Sequence, residues 1–433
     1  MPARDLRQLV EEHGGAYRDR VYPPLRTLEL FIGQALSADD ACQDAVARNL
    51  SERTARGVRQ CSLSTGPYCK ARQRLPLDLM VRLQRTLAER LERSQPAGWR
   101  WHGRSVKLLD GTTVSMPDTP ANQQAFPQSR SQQAGLGFPL ARLVAIVSLG
   151  HAAVLDWAMG PCRGDDTSEQ ALLRTLLGAL NRGDVVLADG YHCTYWTLAM
   201  LKARGVDALM HQHVHRGCDF RRGKRLARGD HIVHWPRPAC PGWMDQQTYA
   251  AMPESLSVRE VRVQGRVLVT TLLDARTVPA AELDRLYASR WNIEVDLRSI
   301  KAEMGMDILS CKSPAMIRKE VGVHLLAYTL VRAVMAQAAS LGGVLARSLS
   351  FKRAAQLLNA YHQQLRHSAG GRASLMIAHV LGALAALPLP WRPYRVEPRA
   401  VKRRPKPHRL LTVPRPLARL QILAQRSFAK VAP

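Results

Sequence analysis

The sequence predicts an α/β protein: a mixed β-sheet covered by helices, with a helical region before it and another after it. Three observations predict this. From about residue 105, three short runs rich in β-branched residues and bounded by Gly or Pro follow one another, "SVKLLDGTTVSM", "ARLVAIVSLGH" and "AVLDWAMG". Helical and strand patterns then alternate in "SEQALLRTLLGALNR", "DVVLADG", "TYWTLAMLKARG" and "ALMHQH". Strands that give way to such alternation imply a mixed sheet with helices packed on it.

Residues 1 to 98 read as helices. "YPPLRTLELFIGQALS" and "PLDLMVRLQRTLAERLERS" repeat apolar residues every three or four positions and carry basic outer positions. Between them, in "SLSTGPYCKARQRLP", Ser64 or Thr65 can cap a short helix that presents Lys70, Arg72 and Arg74 outward, as a helix-turn-helix presents its reading helix to DNA. An ordinary solvated helix is the plainer reading. Residues 99–345 form the central α/β unit, interrupted at about 214–262 by an irregular block rich in Gly, Pro, Arg and Trp that looks like an insertion. "GRVLVTTLLDA" resumes the strand pattern, and Pro279 opens a helix able to run to Gly305. An apolar helix, "AMIRKEVGVHLLAYTLVRAVMAQAASL", follows. Residues 346–433 hold a second helical region and the tail "LPLPWRPYRVEPRAVKRRPKPHR", whose prolines and charges favour an extended chain.

Lys and Arg number 62 against 35 Asp and Glu, a formal net charge of +27. A globular chain tolerates that self-repulsion best beside a polyanion, so nucleic acid leads and a membrane surface trails, there being no long basic amphipathic helix. The first residues lack a signal-peptide core, and Arg142, His151 and Asp156 interrupt the most apolar stretch, so a cytoplasmic, nucleoid-associated protein is expected. Eight scattered cysteines without C-x-x-C pairs suit reduced thiols. "HQHVHRGC" sets His211, His213 and His215 on one strand face, with Cys218, His231, His234 and Cys240 further on. That spacing fits no established zinc pattern, and contacts to backbone or phosphate are the preferred reading, with metal binding left open.

The chemistry concentrates in "YASRWNIEVDLRSIK". At about 100° per residue, Tyr287, Arg290, Glu294 and Lys301 fall in a helical sector roughly 60° wide, bordering the apolar face. Asp110 and Asp189 each end an apolar strand run before a glycine, where open α/β sheets place ligands. Converging, the three carboxylates would raise each other's pKa unless a cation relieved them. Oxygen-only ligation selects Mg2+ or Mn2+, and two such ions about 3.5–4 Å apart can drive phosphoryl transfer. Arg290 and Lys301 can then hold a phosphate, with Tyr287 donating to it. The bland alternative is an Arg290–Glu294 pair on a solvated helix, worth a few tenths of a kcal/mol.

The Y-x2-R-x3-E-x6-K spacing, "LLDGTTVSMPD", "VVLADGYHCTYWTLAML" and "VLVTTLLDARTVPAAELDRLYASRWNIEVDLRSIK" resemble the DDE transposases of bacterial insertion sequences, in the family bearing this YREK signature. The resemblance spans roughly residues 60–410, including "YCKARQRLP" and "RVEPRAVKRRPKP". It implies a ribonuclease-H-like catalytic core with a β-rich insertion between the second Asp and the Glu. It assigns the metal-binding roles to Asp110, Asp189 and Glu294, with two ions per site, and contacts to the terminal transposon phosphates to Tyr287, Arg290 and Lys301. Many relatives carry a basic residue after the second Asp, where this chain has Gly190. Some hold a flipped base on an insertion tryptophan, which here means Trp235 or Trp243. The resemblance further implies cut-and-paste transposition: hydrolysis at inverted-repeat ends, a hairpin intermediate, strand transfer into double-stranded target DNA, and a homodimer on paired ends. The alternatives are a hydrolytic nuclease on the same fold and a DNA-binding regulator without catalysis.

Overall fold

The computed structural model describes residues 3–15, 17, 20–37, 39–58, 60–389 and 411–429. Helices α1 (Ala3–His13), α2 (Pro24–Ala35), α3 (Cys42–Ala55), α4 (Gly66–Arg74) and α5 (Leu77–Ser94) precede the sheet. Proline at the first helical positions of α2 and α4 supplies the helical φ where an N–H has no intrahelical acceptor. The meander comes next: β1 (Val106–Ser115), the short α6 (Pro120–Ala125), β2 (Leu140–Ser148) and β3 (Val154–Pro161). Alternation follows with α7 (Glu169–Leu176), β4 (Val185–Ala188), α8 (Tyr195–Ala203) and β5 (Asp207–His211). Ser168 and Thr194 start α7 and α8 by accepting from the backbone N–H three residues on, at 3.2 Å in both.

The block expected to be irregular is itself β-rich, with β6 (Lys224–Ala227), β7 (Asp230–Pro236), α9 (Gln246–Ala251) and β8 (Ser255–Val263) leading back through β9 (Arg266–Thr270). Its strand periodicity is masked because buried positions hold charge. Arg259, fully buried, is bidentate to Asp230 at 2.8 and 2.6 Å and donates to the Val278 carbonyl at 2.7 Å. All nine strands join one sheet in the order β3-β2-β1-β4-β5-β9-β8-β7-β6. β1 is antiparallel to β2 and parallel to β4, and β4 is parallel to β5.

The helix expected from Pro279 to Gly305 is segmented: α10 (Ala280–Ala288), a 3-10 turn at Ser289–Trp291, α11 (Asn292–Arg298) and a π turn at Ser299–Glu303. α12 (Pro314–Leu341) is long and apolar enough to cross a membrane, yet 78% of its most apolar window is buried inside the molecule. It is the central core helix, packing with α2 and α5 and with Leu283, Ile293 and Ile300 of the preceding segment in one cluster. α13 (Phe351–His367), α14 (Gly370–Ala385) and α15 (Arg415–Ala429) complete the described chain. Most of the basic, proline-rich tail, residues 390–410, lies outside the described residues.

Candidate active site

β1 and β4 run side by side with Leu108 opposite Leu187 as their last pair. Two residues further along each strand stand Asp110 and Asp189. The register sets them as neighbours on one face, on strands about 4.8 Å apart. Asp189 follows the end of β4, as expected, and its Oδ1 accepts from the Tyr191 N–H at 3.1 Å. The expectation for Asp110 needs correction. β1 does not end there but continues to Ser115, and Gly111 pairs with Val144 of β2 instead of turning.

Gly111 serves close approach. A Cβ at that position would lie 2.6 Å from Cδ of Glu169 and under 3.0 Å from both its oxygens. Glu169, in the first turn of α7, is therefore a fourth carboxylate at the site, one that no motif in the sequence marks. Its only signal was a glycine inside a strand pattern, which reads more readily as a turn. Arg142 of β2 stands 3.8 Å from Glu169 and donates to the Thr167 carbonyl at 2.8 Å. Gly190 is also confined, since a Cβ there would meet the Gln212 carbonyl at 2.9 Å. Any side chain at this position would have to displace that carbonyl.

The helical stripe faces this strand edge. Arg290 Nη2 donates to Glu294 Oε1 at 2.8 Å, and Nη1 lies 3.7 Å from Asp110 Oδ2. Lys301 Nζ, on the π turn, donates to Thr112 Oγ1 at 3.2 Å. Tyr287 is buried, with the Arg266 guanidinium over its ring at 5.2 Å. The pair foreseen as a solvated-helix feature thus exists, but its guanidinium also faces the strand-borne acid.

Burial pushes Asp110 up to about 6, with Asp189 and Glu169 adding to the rise while the Gly111 N–H and Arg290 oppose it. Burial and the nearby Asp189 also raise Glu169, against the pull of Arg142. The donor set is all oxygen and carries more negative charge than Arg290 balances, which fits hard divalent cations. Asp110, Asp189 and Glu294 nevertheless stop short of a closed ligand group. Among the described residues, the three side chains whose donor atoms all lie within 4.8 Å of one another are Cys218, His231 and Glu260.

Behind Glu294, Asp296 is fully buried and anchors α11. It accepts from Tyr328 at 3.0 Å, from Arg332 at 3.1 Å and from Arg347 at 2.8 and 3.1 Å, and Arg347 also donates to the Ser148 carbonyl at the end of β2. Nothing in the local pattern separates this acid from the solvated charges around it.

The remaining expected residues divide. Trp235 is buried, donates its indole N–H to Glu260 Oε1 at 3.0 Å and is covered by Arg216 at 3.5 Å, so it belongs to the insertion's interior. Trp243 is 41% exposed with Arg174 over its ring at 3.8 Å. His211, His213 and His215 turn to local backbone and to one another, while Cys218 and His231 converge on Glu260. In α4, Arg72 does not point outward. It is buried, bonded to Gln34 at 3.2 Å and stacked on Phe31 and Tyr68, because it lies one turn after Tyr68 on the face that α4 packs against α2. Lys70 and Arg74 line a cleft of 940 Å3 with Tyr17, Arg20 and Tyr22.

A model of the transposase DDE domain family matches residues 101–330. The chain is 28% identical over 350 residues to the transposase InsG for insertion sequence element IS4 of Escherichia coli (strain K12), covering 78% of this chain and 76% of that protein. Among solved structures, the piggyBac transposase synaptic complex with hairpin DNA aligns over 90% of this chain and 82% of that chain, with a TM-score of 0.44 and 8% identity. So loose a likeness bears no weight for the site.

Proposed function

This chain belongs to the transposase DDE domain family and is a DNA transposase, and on that premise we propose that Asp110, Asp189 and Glu294 hold its divalent cations. The observation that carries the assignment is the register of β1 and β4, which brings Asp110 and Asp189 side by side, with Arg290 reaching from Glu294 to Asp110 across the gap. The core is ribonuclease-H-like on this reading. An antiparallel β3-β2-β1 meander extended by parallel β4 and β5 supports it, and the insertion continues the same sheet. The working units are 1–98 for DNA binding, 99–345 for catalysis and 346–433 for further helical and basic contacts.

Two Mg2+ or Mn2+ ions, when bound, supply Lewis acidity to the attacked phosphate and acidify the attacking water. The residues of the chain do the rest. Asp110, Asp189 and Glu294 offer the oxygen ligands, and Glu169 adds negative charge at the Gly111 gap. Arg290, no longer needed between Asp110 and Glu294, turns to a DNA phosphate, and Lys301 leaves Thr112 to clamp a second. Tyr287 donates from below. Lys70 and Arg74 grip the DNA backbone, and Trp243, freed from Arg174, is the insertion's exposed indole, able to stack on an unpaired base. The substrate is the element's own inverted-repeat ends: hydrolysis frees a 3′ hydroxyl, which attacks the opposite strand to close a hairpin and release the flanking DNA, and a second hydrolysis reopens the hairpin so that the regenerated 3′ hydroxyl can attack target DNA. A homodimer on paired ends, working at the nucleoid in the cytoplasm, completes the reading.

The test is incubation of the purified chain with its flanking inverted repeats, with and without Mg2+, scoring nicks, hairpins and joined products. Asp189→Asn and Glu294→Gln should each reduce cleavage and joining at least a thousandfold while DNA binding persists. Cleavage without joining of pre-cut ends would indicate a nuclease, and full biological effect in both variants a regulator.

A further inference from the structure

Beyond the carboxylate site, we propose that Cys218, His231 and Glu260 form a zinc site that clamps the segment after β5 onto β7 and β8, with the fourth position left to water. The three donor atoms already face one point. Cys218 Sγ lies 2.8 Å from Glu260 Oε2, His231 Nε2 lies 3.0 Å from the same oxygen, and Sγ and Nε2 are 3.8 Å apart. Tetrahedral bonds of about 2.0–2.3 Å to zinc set neighbouring donors roughly 3.3–3.6 Å apart. Less than about 1 Å of adjustment therefore separates the observed triangle from a coordinated one.

The surroundings are those a metal needs. His231 Nδ1 lies 2.7 Å from the Arg222 carbonyl, which can only accept, so Nδ1 carries a proton. In the neutral ring, Nε2 then presents a bare lone pair to a carboxylate oxygen, an arrangement that calls for a cation or a second proton between them. A backbone carbonyl holding the far nitrogen is how ligating histidines are oriented. The other oxygen of Glu260 is fixed by the Trp235 indole at 3.0 Å, and no Lys or Arg among the described residues ion-pairs with this buried carboxylate. Arg216 and Arg262 lie instead over the rings of Trp235 and Phe220, and Phe220 packs on His231 at 4.5 Å. Thiolate, imidazole and carboxylate together suit zinc over magnesium.

In the metal-free protein Cys218 Sγ donates to Glu260 Oε2, so the thiol enters coordination as S–H. Formation of the S–Zn bond breaks the S–H bond and releases one proton to solvent, with no change of oxidation state.

Full-length protein depleted by chelator dialysis is titrated with Zn2+ and separately with Co2+. The expected result is one tightly held zinc per chain and a thiolate-to-cobalt charge-transfer band. Both should vanish in Cys218→Ser and persist in Cys240→Ser and in Asp189→Asn, which separates this site from the magnesium site. Alkylation of Cys218 in the unmutated protein, read by mass spectrometry, should slow at least tenfold with Zn2+, a measurement independent of how any variant folds. Failure of folded protein to retain zinc, retention unchanged in Cys218→Ser, or alkylation indifferent to Zn2+ would each overturn the proposal. None of these outcomes bears on DNA joining.

Discussion

At the scale of single residues, the most telling position is Gly111, whose missing side chain admits Glu169 beside Asp110. Gly111→Ala and Glu169→Gln should each lower strand cleavage at least tenfold. Together they should cost little more than either alone, because both disturb one packed contact. Fully additive effects in a double-mutant cycle of cleavage rates would show Glu169 to be a bystander. Asp110, Asp189, Glu294 and the Tyr287, Arg290, Lys301 stripe stood out as candidates because apolar runs and residue spacing are local properties, although β1 continues past Asp110 and the stripe spans a segmented helix. Glu169 was not, since its meaning depends on a gap between two strands and a helix that no local pattern encodes. Arg72 was misread for a related reason: helical periodicity names a face, and only packing against α2 decides that the face is covered.

At the scale of elements, the segmented helix that carries Glu294 is held from behind by Asp296. Asp296→Asn would leave the buried Arg332 and the largely buried Arg347 without their carboxylate, so a loss of about 3–5 kcal/mol in unfolding free energy is expected from denaturant titration. Cleavage should fall as well, through displacement of Glu294 and not through loss of a ligand, and high Mg2+ should leave the defect in place. A second buried cluster joins α5 to the sheet. Glu92 bonds Lys107 of β1 and, at 2.8 Å, His151, and Lys107 is fully buried. Despite burial, which acts the other way, His151 and Lys107 hold Glu92 well below the usual carboxylate range, and burial lowers His151. A carboxylate depressed in the folded state gives stability that is present above its unfolded pKa of about 4.3 and is lost as pH falls below it. A histidine depressed in the folded state likewise costs stability once the pH drops below about 6.5, where the unfolded chain takes the proton. Both act in one direction. Thermal melts should show a midpoint falling from about pH 6.5 downward, and the gap between the parent and Glu92→Gln should narrow in acid. The order and type of the strands and long helices were legible from apolar spacing. The insertion's strands were not, because Asp230, Arg259 and Glu260 occupy buried positions where a strand pattern expects apolar residues.

At the scale of the whole molecule, a formal charge of +27 makes affinity for DNA a counterion-release problem. Should the chain neutralise about 6–10 phosphates, binding measured by filter retention or anisotropy should weaken by about 10³–10⁵-fold between roughly 50 and 200 mM salt. Lys70→Ala and Arg74→Ala should each flatten that slope by about one unit, whereas Arg72→Ala should act through stability. The parallel pairing of β1 with β4 has a further implication for how this molecule must assemble. It runs over only three pairs, from Val106 and Val185 to Leu108 and Leu187. Side chains alternate across a sheet, so sliding either strand by one position would turn Asp110 and Asp189 to opposite sides. A chain that settled into that misalignment would keep its apolar content, and much of its secondary structure, while losing its chemistry altogether. The alignment of the two acids therefore depends directly on three rungs of backbone pairing between segments far apart in the chain, with the pairing of β1 to β2 and of β4 to β5 holding each strand from its other side.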